Sequence, residues 1–461
     1  GNSKRTAVLA VMVAVFALLL YLVFSKNDVS IKGEENQQTV SAKGAKSPLE
    51  STIASGGGGG GPSGISGGGS QTNLASNPAF RNNPTNPEII FLPPITPGNP
   101  GNGSGSAKSG NGTGVAGTGP PGVTNAPPVA NPPGPKIPRK PAMANRGHAG
   151  RRIAIANGAS PATFDAIELG LAWLARVQEP DGRWNARKWG GGNHDLGCTG
   201  LAVLAFLGDG NSHLEGKYRE NVRRALDWMA SRQKQDGNLG WSTFYEQGIA
   251  ATALCENCTL TQDRRYYNAA YKSIEHIIQK MGPDGGFGYS GPGGDTSVTG
   301  WQIMAYKSAR LADIPVPAHV FNKCAVFLQK SVNPDGSTGY SYNKSPRNSM
   351  TAVGMFCRIF LNYPRNDPNL IKASGIIHRA GPNVSKEYYL YYGTYCMFQW
   401  GGEAWRAWNL KFRDPLIALQ EKTGPNRGSW GKWGHGGGRV YATAINIMTL
   451  EVYQRFLPVY R

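Results

Sequence analysis

The first 160 residues of this 461-residue chain contain no tryptophan and no cysteine. From Ser51 to Ser160 there is one acid, Glu88, against eight lysines and arginines. A segment this poor in large apolar side chains cannot offset its ordering entropy by burial, so no folded domain is expected before residue 161. All eleven tryptophans and all six cysteines fall later, between Trp173 and Trp433. That stretch of some 300 residues is long enough to bury a sizeable core. The net charge of +19 divides almost evenly between the two parts. It suits contact with anionic head groups or wall polymers. A basic recognition helix and interleaved RNA-binding aromatics are both missing, so nucleic acid is not expected as a partner.

What the first part does contain is one long apolar run. Thr6 to Ser25 is twenty residues without a charge. At 1.5 Å per residue it would span roughly 30 Å, the hydrocarbon thickness of a bilayer. The run is longer than a cleaved signal's apolar core and ends in bulky Leu22, Val23 and Phe24, which favours a retained anchor. Lys4 and Arg5 precede it, while Asp28, Glu34 and Glu35 follow with Lys26 and Lys32. This bias predicts a single-pass cell-membrane protein with a cytoplasmic N-terminus and the rest of the chain extracytoplasmic, periplasmic if the source is bacterial. Residues 1–25 are read as tip and anchor, and 26–160 as a disordered Gly/Pro/Ser/Asn-rich basic linker with an r.m.s. reach of roughly 60 Å. The linker carries one apolar island, Ile89 to Leu92. It ends in a basic collar of Lys136, Arg139, Lys140, Arg146, Arg151 and Arg152, read as solvated.

Residues 161–461 repeat a short phrase. It is fullest as Gln178-Glu-Pro-Asp181-Gly182-Arg-Trp184 and returns as Gln233-Lys-Gln-Asp236-Gly237 leading to Trp241. Asp284-Gly285-Gly-Phe287 follows, then Asp335-Gly336 leading to Tyr340, and finally Asn426-Arg-Gly428-Ser-Trp430. The Asp-Gly pairs lie 55, 48 and 51 residues apart, and the last gap of 91 spans two periods, so one copy has lost its signature. Helical stripes precede each turn: Ile167, Leu171 and Leu174; Ala225, Trp228 and Met229; Ile274, Ile277 and Ile278; Val326, Phe327 and Leu328; Leu416, Ile417 and Leu419. The copy without a signature keeps Leu370, Ile371, Ile376 and Ile377. A second helix rich in small residues follows each turn, beginning near Gly197, Gly248, Thr299, Thr351, Gly393 and Tyr441. Six helix pairs result, an all-α architecture. Asp-Gly supplies the positive-φ reversal, the glutamine amide serves free carbonyls at the end of its own helix, and the aromatic covers the turn. These roles are structural.

Gln178-x-x-x-Gly182-x-Trp184 resembles the Q-x-x-x-G-x-W motif of squalene and oxidosqualene cyclases. The second-helix phrases, with Asp295-Thr-Ser-Val-Thr-Gly-Trp301, are similar to those of the wider prenyltransferase/squalene oxidase repeat superfamily. The resemblance covers residues 161–461 and implies an (α/α)6 toroid with parallel inner helices and a cavity at one mouth. A fold of this kind leaves activity open.

Parallel inner helices would aim their N-termini at that mouth. Those starts carry His194-Asp195, Tyr245-Glu246, Asp295-Thr296, Asn348-Ser349, Glu387-Tyr388 and Arg439-Val440-Tyr441. Acids and serines there cap free amides. Together they also form a ring able to do acid–base work. The catalytic candidates are Asp295, His194 and Asp195. The binding-mouth candidates are Glu246, Glu387, Tyr388, Tyr391, Arg439 and Tyr441. In the resembled cyclases a D-x-D-D-T-A acid protonates the alkene; here Gly294 stands at the donor position and only Asp295 matches. The prenyltransferase Asp-x-Cys zinc set and the Cys-Gly-Glu-Gln of thioester domains are missing as well. Cys255-Glu-Asn-Cys258 with His435 is the nearest metal-ligand set, one pair short of a zinc site. No cofactor or metal is expected. The reading is a membrane-anchored scaffold that binds a protein partner, a wall polymer, or an apolar or glycan ligand without chemistry. Two alternatives stand beside it: an isoprenoid-type cyclase or transferase with a rearranged site, and a carbohydrate-active toroid.

Overall fold

The computed structural model describes residues 141–461 apart from 241–242, 343, 432–435, 458–459 and 461. The apolar run, the linker up to residue 140 and the island at Ile89 lie outside the described residues, as do Trp241 and His435. Among the described residues no helix is long and apolar enough to cross a membrane, and no β-strand occurs beyond isolated bridges.

After a short leading helix α1 (Arg151–Ala156), six outer helices alternate with six inner ones. The outer helices are α2 (Pro161–Val177), α4 (Arg219–Ser231), α6 (Tyr267–Gln279), α8 (Ala318–Ser331), α10 (Pro368–Ala380) and α12 (Gly402–Ala418). The inner ones are α3 (Asp195–Gly208), α5 (Phe244–Thr261), α7 (Thr296–Leu311), α9 (Asn348–Phe360), α11 (Glu387–Trp400) and α13 (Gly438–Leu450), and a single turn, α14 (Val452–Arg455), follows. Each inner helix packs on the next, and α13 packs back on α3, so the ring closes. The outer helices sit over the grooves between inner ones, with α2 contacting both α3 and α13. This is the α/α toroid of six pairs.

The local causes are legible. Outer helices bury one stripe: Ile167, Leu171 and Leu174 on α2 and Val222, Leu226 and Met229 on α4 are all in the core, each such side chain stabilising by about 1.5–3 kcal/mol. In α10 the stripe is narrower, for Leu370 and Ile377 are buried while Ile371 is half exposed. Inner helices are buried almost all round. Glycine permits their approach: a Cβ on Gly200 would lie 3.2 Å from the Ala250 backbone of α5. Starts are set by caps, such as Asp367 accepting the amides of Asn369 and Leu370 ahead of α10.

The repeated phrase does more than reverse the chain. Gly182, Gly237, Gly285, Gly336 and Gly428 all have positive φ, between 86° and 99°. In each Asp-Gly copy the aspartate accepts an amide two residues on, as Asp335 does from Ser337 at 2.9 Å. The glutamine corrects the sequence reading. Gln178 Nε2 donates to the turn carbonyl of Gly182 (2.7 Å) and to Asn221 O in the next outer helix (2.9 Å), not to carbonyls of its own helix. Gln233 does the same with Gly237 and Ala269, and Gln420 with Gly428 and Ala166, the last returning to α2. The turn glycines are also wedged against the next outer helix. A Cβ on Gly182 would overlap the Arg224 carbonyl, and one on Gly428 would overlap that of Leu169. The phrase is therefore a joint between repeats.

A second correction concerns the residue that covers the turn. Trp184, Phe287 and Trp430 are buried there, but in the other two copies the equivalent positions are Leu239 and Thr338, while Tyr340 stands outside the core. The backbone N–H at this position is held by the following inner helix: Trp184 by Thr199 Oγ1, Phe287 by Thr299, Thr338 by Thr351 and Trp430 by Thr443, all near 3.0 Å.

A third correction moves the start of the folded part. Residues 141–156 form short helices against the ring, and Arg146, expected in a solvated collar, is fully buried. Its Nη1 donates to Glu256 Oε2 at 2.8 Å, which supplies the counter-charge that burial demands. Behind it, Asn157 O accepts Trp405 Nε1 and Gly158 O accepts Asn409 Nδ2 of α12.

Candidate functional site

Residues from the first turns of α3, α5, α7, α11 and α13 line one cavity of about 290 Å³, which shows that these inner helices run parallel. His194, just before α3, reaches across to Glu246 of α5, with Nδ1 3.1 Å from Oε1. Glu246 Oε2 accepts the free amide of Gly197 at 3.0 Å, placing a carboxylate on the neighbouring helix's N-terminus. A Cβ at Gly197 would come within 2.9 Å of Glu246 Cγ, so this glycine makes room for the acid. Burial pushes the Glu246 carboxyl up, against the opposing bonds from His194 and Gly197. Walls are provided by Tyr245, Tyr289, Tyr340, Tyr388 and Tyr441, and the base by Cys198, Leu201 and Ile249. Burial, followed by the nearby Glu246, raises the Cys198 thiol, which keeps it protonated and unsuited to nucleophilic attack.

Next to the cavity lies a cluster of buried aromatic rings. Trp301 stacks on Tyr391 at 6.5 Å and 11°, with Tyr392 edge-on to both and Tyr245 edge-on to Trp301. The Tyr391 hydroxyl has no hydrogen-bond partner among the described residues.

Of the catalytic and binding candidates, His194, Glu246, Tyr388 and Tyr441 meet at this cavity, joined by Tyr245 from the same helix start as Glu246. The remaining candidates do not line it. Asp195 accepts the Ala186 amide (2.9 Å) and pairs with Arg183, bracing the loop before α3. Asp295 caps α7 through Ser297 N and Val298 N, so the one matched cyclase acid is occupied by its own helix. Arg439 points to Ser429 and Glu421. Tyr391 belongs to the aromatic cluster. Glu387 is buried, its carboxyl has no side-chain partner among the described residues, and burial pushes it up to about 7. It lies within electrostatic reach of Tyr441. Cys255 and Cys258 are buried free thiols on α5, the latter pushed up to about 12 by burial. All six cysteines are unpaired. The cavity is also lined by Tyr289 and Thr243, which no sequence motif marks, by Ser297 within the Asp295 phrase, and by Cys198, whose small apolar neighbours point to an ordinary core cysteine. Cys198 sits one turn after His194, a spacing that was available as a signal.

No protein-family profile matches the chain, and no curated protein does. Solved structures do. A cellobiose 2-epimerase from Bacillus thermoamylovorans B4167 matches with a TM-score of 0.50 and 11% identity, over 64% of this chain and 98% of that one. The α-1,6-mannanase GH76A of Salegentibacter sp. HEL1_6 matches with a TM-score of 0.46 and 12% identity, over 63% and 98%. A type II terpene cyclase from Scytonema gives 0.45 and 13%, over 63% and 97%. All three are α/α toroids. At these identities the likeness concerns the fold, and the wider superfamily suggested by the repeat phrase is not singled out among toroids.

Proposed function

We propose that the chain is a carbohydrate-binding α/α toroid whose mouth takes a sugar ring. The observation that carries this reading is the His194–Glu246 pair set among Tyr245, Tyr388 and Tyr441 in one small, open cavity. A pyranose presents C–H groups on its faces and hydroxyls on its edge. Tyrosine rings take the former, and an imidazole–carboxylate pair takes the latter. The volume, about 290 Å³, is at the lower end of ligand sites, which run from about 300 to 1,000 Å³. A volume of this size leaves little room for a folded isoprenoid chain. Hydrolysis by two carboxylates would need a second acid on the cavity, and among the described lining residues Glu246 is the single one. Binding without turnover is therefore the reading favoured.

The test is a glycan array followed by calorimetry. Glu246→Gln should weaken binding of the retained sugar about tenfold or more, the loss of a charge-assisted hydrogen bond. An array with no retained glycan, or binding indifferent to this change, would sink the proposal. One observation favours a second reading: the buried Glu246 beside His194 is an acid–base pair. Release of new reducing ends by the wild type, lost in Glu246→Gln, would make the protein an enzyme. The uncharged run Thr6–Ser25 supports a further part of the proposal, that the toroid is held outside the cytoplasm on a long tether. A C-terminal tag protected from protease in intact cells is expected, accessible only after permeabilisation of the outer layers; a tag reached only by cytoplasmic labelling would reverse that topology.

A further inference from the structure

We infer that the rim of the mouth is a track for a chain of sugars, with Tyr289 and Tyr340 as successive stacking platforms, so that the ligand is an extended glycan instead of a single ring. This deepens the sugar-binding proposal and rests on it. The two tyrosines hold the same place in consecutive repeats, four residues after the turn glycines Gly285 and Gly336 and directly after Gly288 and Gly339. In both, the backbone is fastened to the preceding repeat: Tyr289 O accepts Phe244 N–H at 2.9 Å, and Tyr340 O accepts Thr296 N–H at 2.7 Å. Each bond serves a free amide at an inner-helix start. It fixes the main chain at the edge of the cavity while leaving the side chain outside the core. Tyr289 is 49% exposed and Tyr340 39%, whereas Tyr388 and Tyr441 on the same cavity are at most 8% exposed.

The fold does not require an aromatic there. The joining bond uses only a carbonyl, and repeat 1 has Ala186 at the equivalent place. A large ring kept half in water on a pinned backbone costs little ordering entropy when a ligand face settles on it, which is the condition for a preorganised platform. The rim is also continuous with the wall, because Tyr289 stacks on Tyr245 at 6.0 Å and 10°. At Tyr340 the Arg347 guanidinium lies 6.0 Å from the ring, offering donors to a hydroxyl beside the stacking face. The glycine before Tyr340 is needed for this shape, since a Cβ at Gly339 would overlap the Lys344 carbonyl.

The experiment titrates the full chain with glucose, mannose and N-acetylglucosamine and with the β-1,4-linked hexasaccharide of each. The best hexasaccharide should bind about tenfold or more tighter than its own monosaccharide, the scale of one or two added aromatic contacts. In the double variant Tyr289→Ala/Tyr340→Ala that ratio should fall toward one, while Tyr289→Phe/Tyr340→Phe should keep most of it, because the ring face is what counts. Thermal melting of each variant controls for folding. Equal affinity for hexasaccharide and monosaccharide overturns the track and leaves the sugar site standing. So does a well-folded double alanine variant that retains the ratio. If the array retains no glycan and neither sugar form binds, the track and the proposed function fall together.

Discussion

The two ends of the same ring of helices are built in opposite ways. At the C-terminal ends of the inner helices, charge is buried and paired. Glu256 Oε2 accepts from Arg146 at 2.8 Å and from Arg455 at 2.9 Å, Arg455 also holds Glu451, and none of the four is more than 1% exposed. The leading segment and α14 thus seal the floor. At the N-terminal ends the arrangement is looser: Asp195 and Arg439 are paired, but the His194 ring beside Glu246 is 45% exposed and the buried Glu387 carboxyl has no side-chain partner among the described residues. The chain invests its extra segments in closing one end, and nothing among the described residues covers the other. The contrast sets an open mouth, where the proposed sugar site lies, against a sealed floor.

Three changes probe that contrast. Arg455→Met should be the most damaging, since it leaves Glu256 and Glu451 short of their buried partner. A loss of about 3–5 kcal/mol is expected in denaturant unfolding, and a loss under about 1 kcal/mol would deny the floor its sealing role. Glu387→Gln should act in the other direction and only at higher pH. Its carboxyl is raised from the ordinary 4.5 to about 7, so the folded state holds the proton where the unfolded state has released it. The wild type accordingly has its full stability below about 4.5 and loses part of it as pH rises to about 7. The glutamine variant should melt with the wild type at low pH and above it at pH beyond this window. Melting curves that stay parallel throughout would show the carboxyl to be solvated. The smallest effect is expected from His194→Ala: stability within about 0.5 kcal/mol of wild type, with sugar binding impaired.

Much of the toroid was legible because its cause is periodic. Six stripes, six small-residue helices and a repeated Asp-Gly turn each report a local requirement, and local requirements are written in order along the chain. What the sequence did not disclose are the relations between repeats. Adjacency in sequence assigns Gln178 to its own helix, whereas its partner Asn221 lies in the next unit. Aromaticity points to Tyr340 as a turn cover, while register gives that place to Thr338, whose amide is bound by Thr351. Arg146 looked like one of six collar charges, and only the distant Glu256 distinguishes it. At the mouth, His194 and Glu246 were foreseen because they begin helices. Asp195, Asp295 and Arg439 share that placement and still face away, since position at a helix start does not determine which side a side chain takes.

The glutamine joint has a consequence for how the molecule comes together. The bond from Gln420 to Ala166 spans 254 residues, a closure whose entropic cost is about 5 kcal/mol for a flexible chain of that length. An open solenoid tolerates losing a unit, because each repeat answers only to its neighbours and the ends are capped. A closed ring has no end unit to cap. Removing one pair of helices would break the ring at one of its inner contacts, so the seam between α13 and α3, and with it the mouth, would have to form anew.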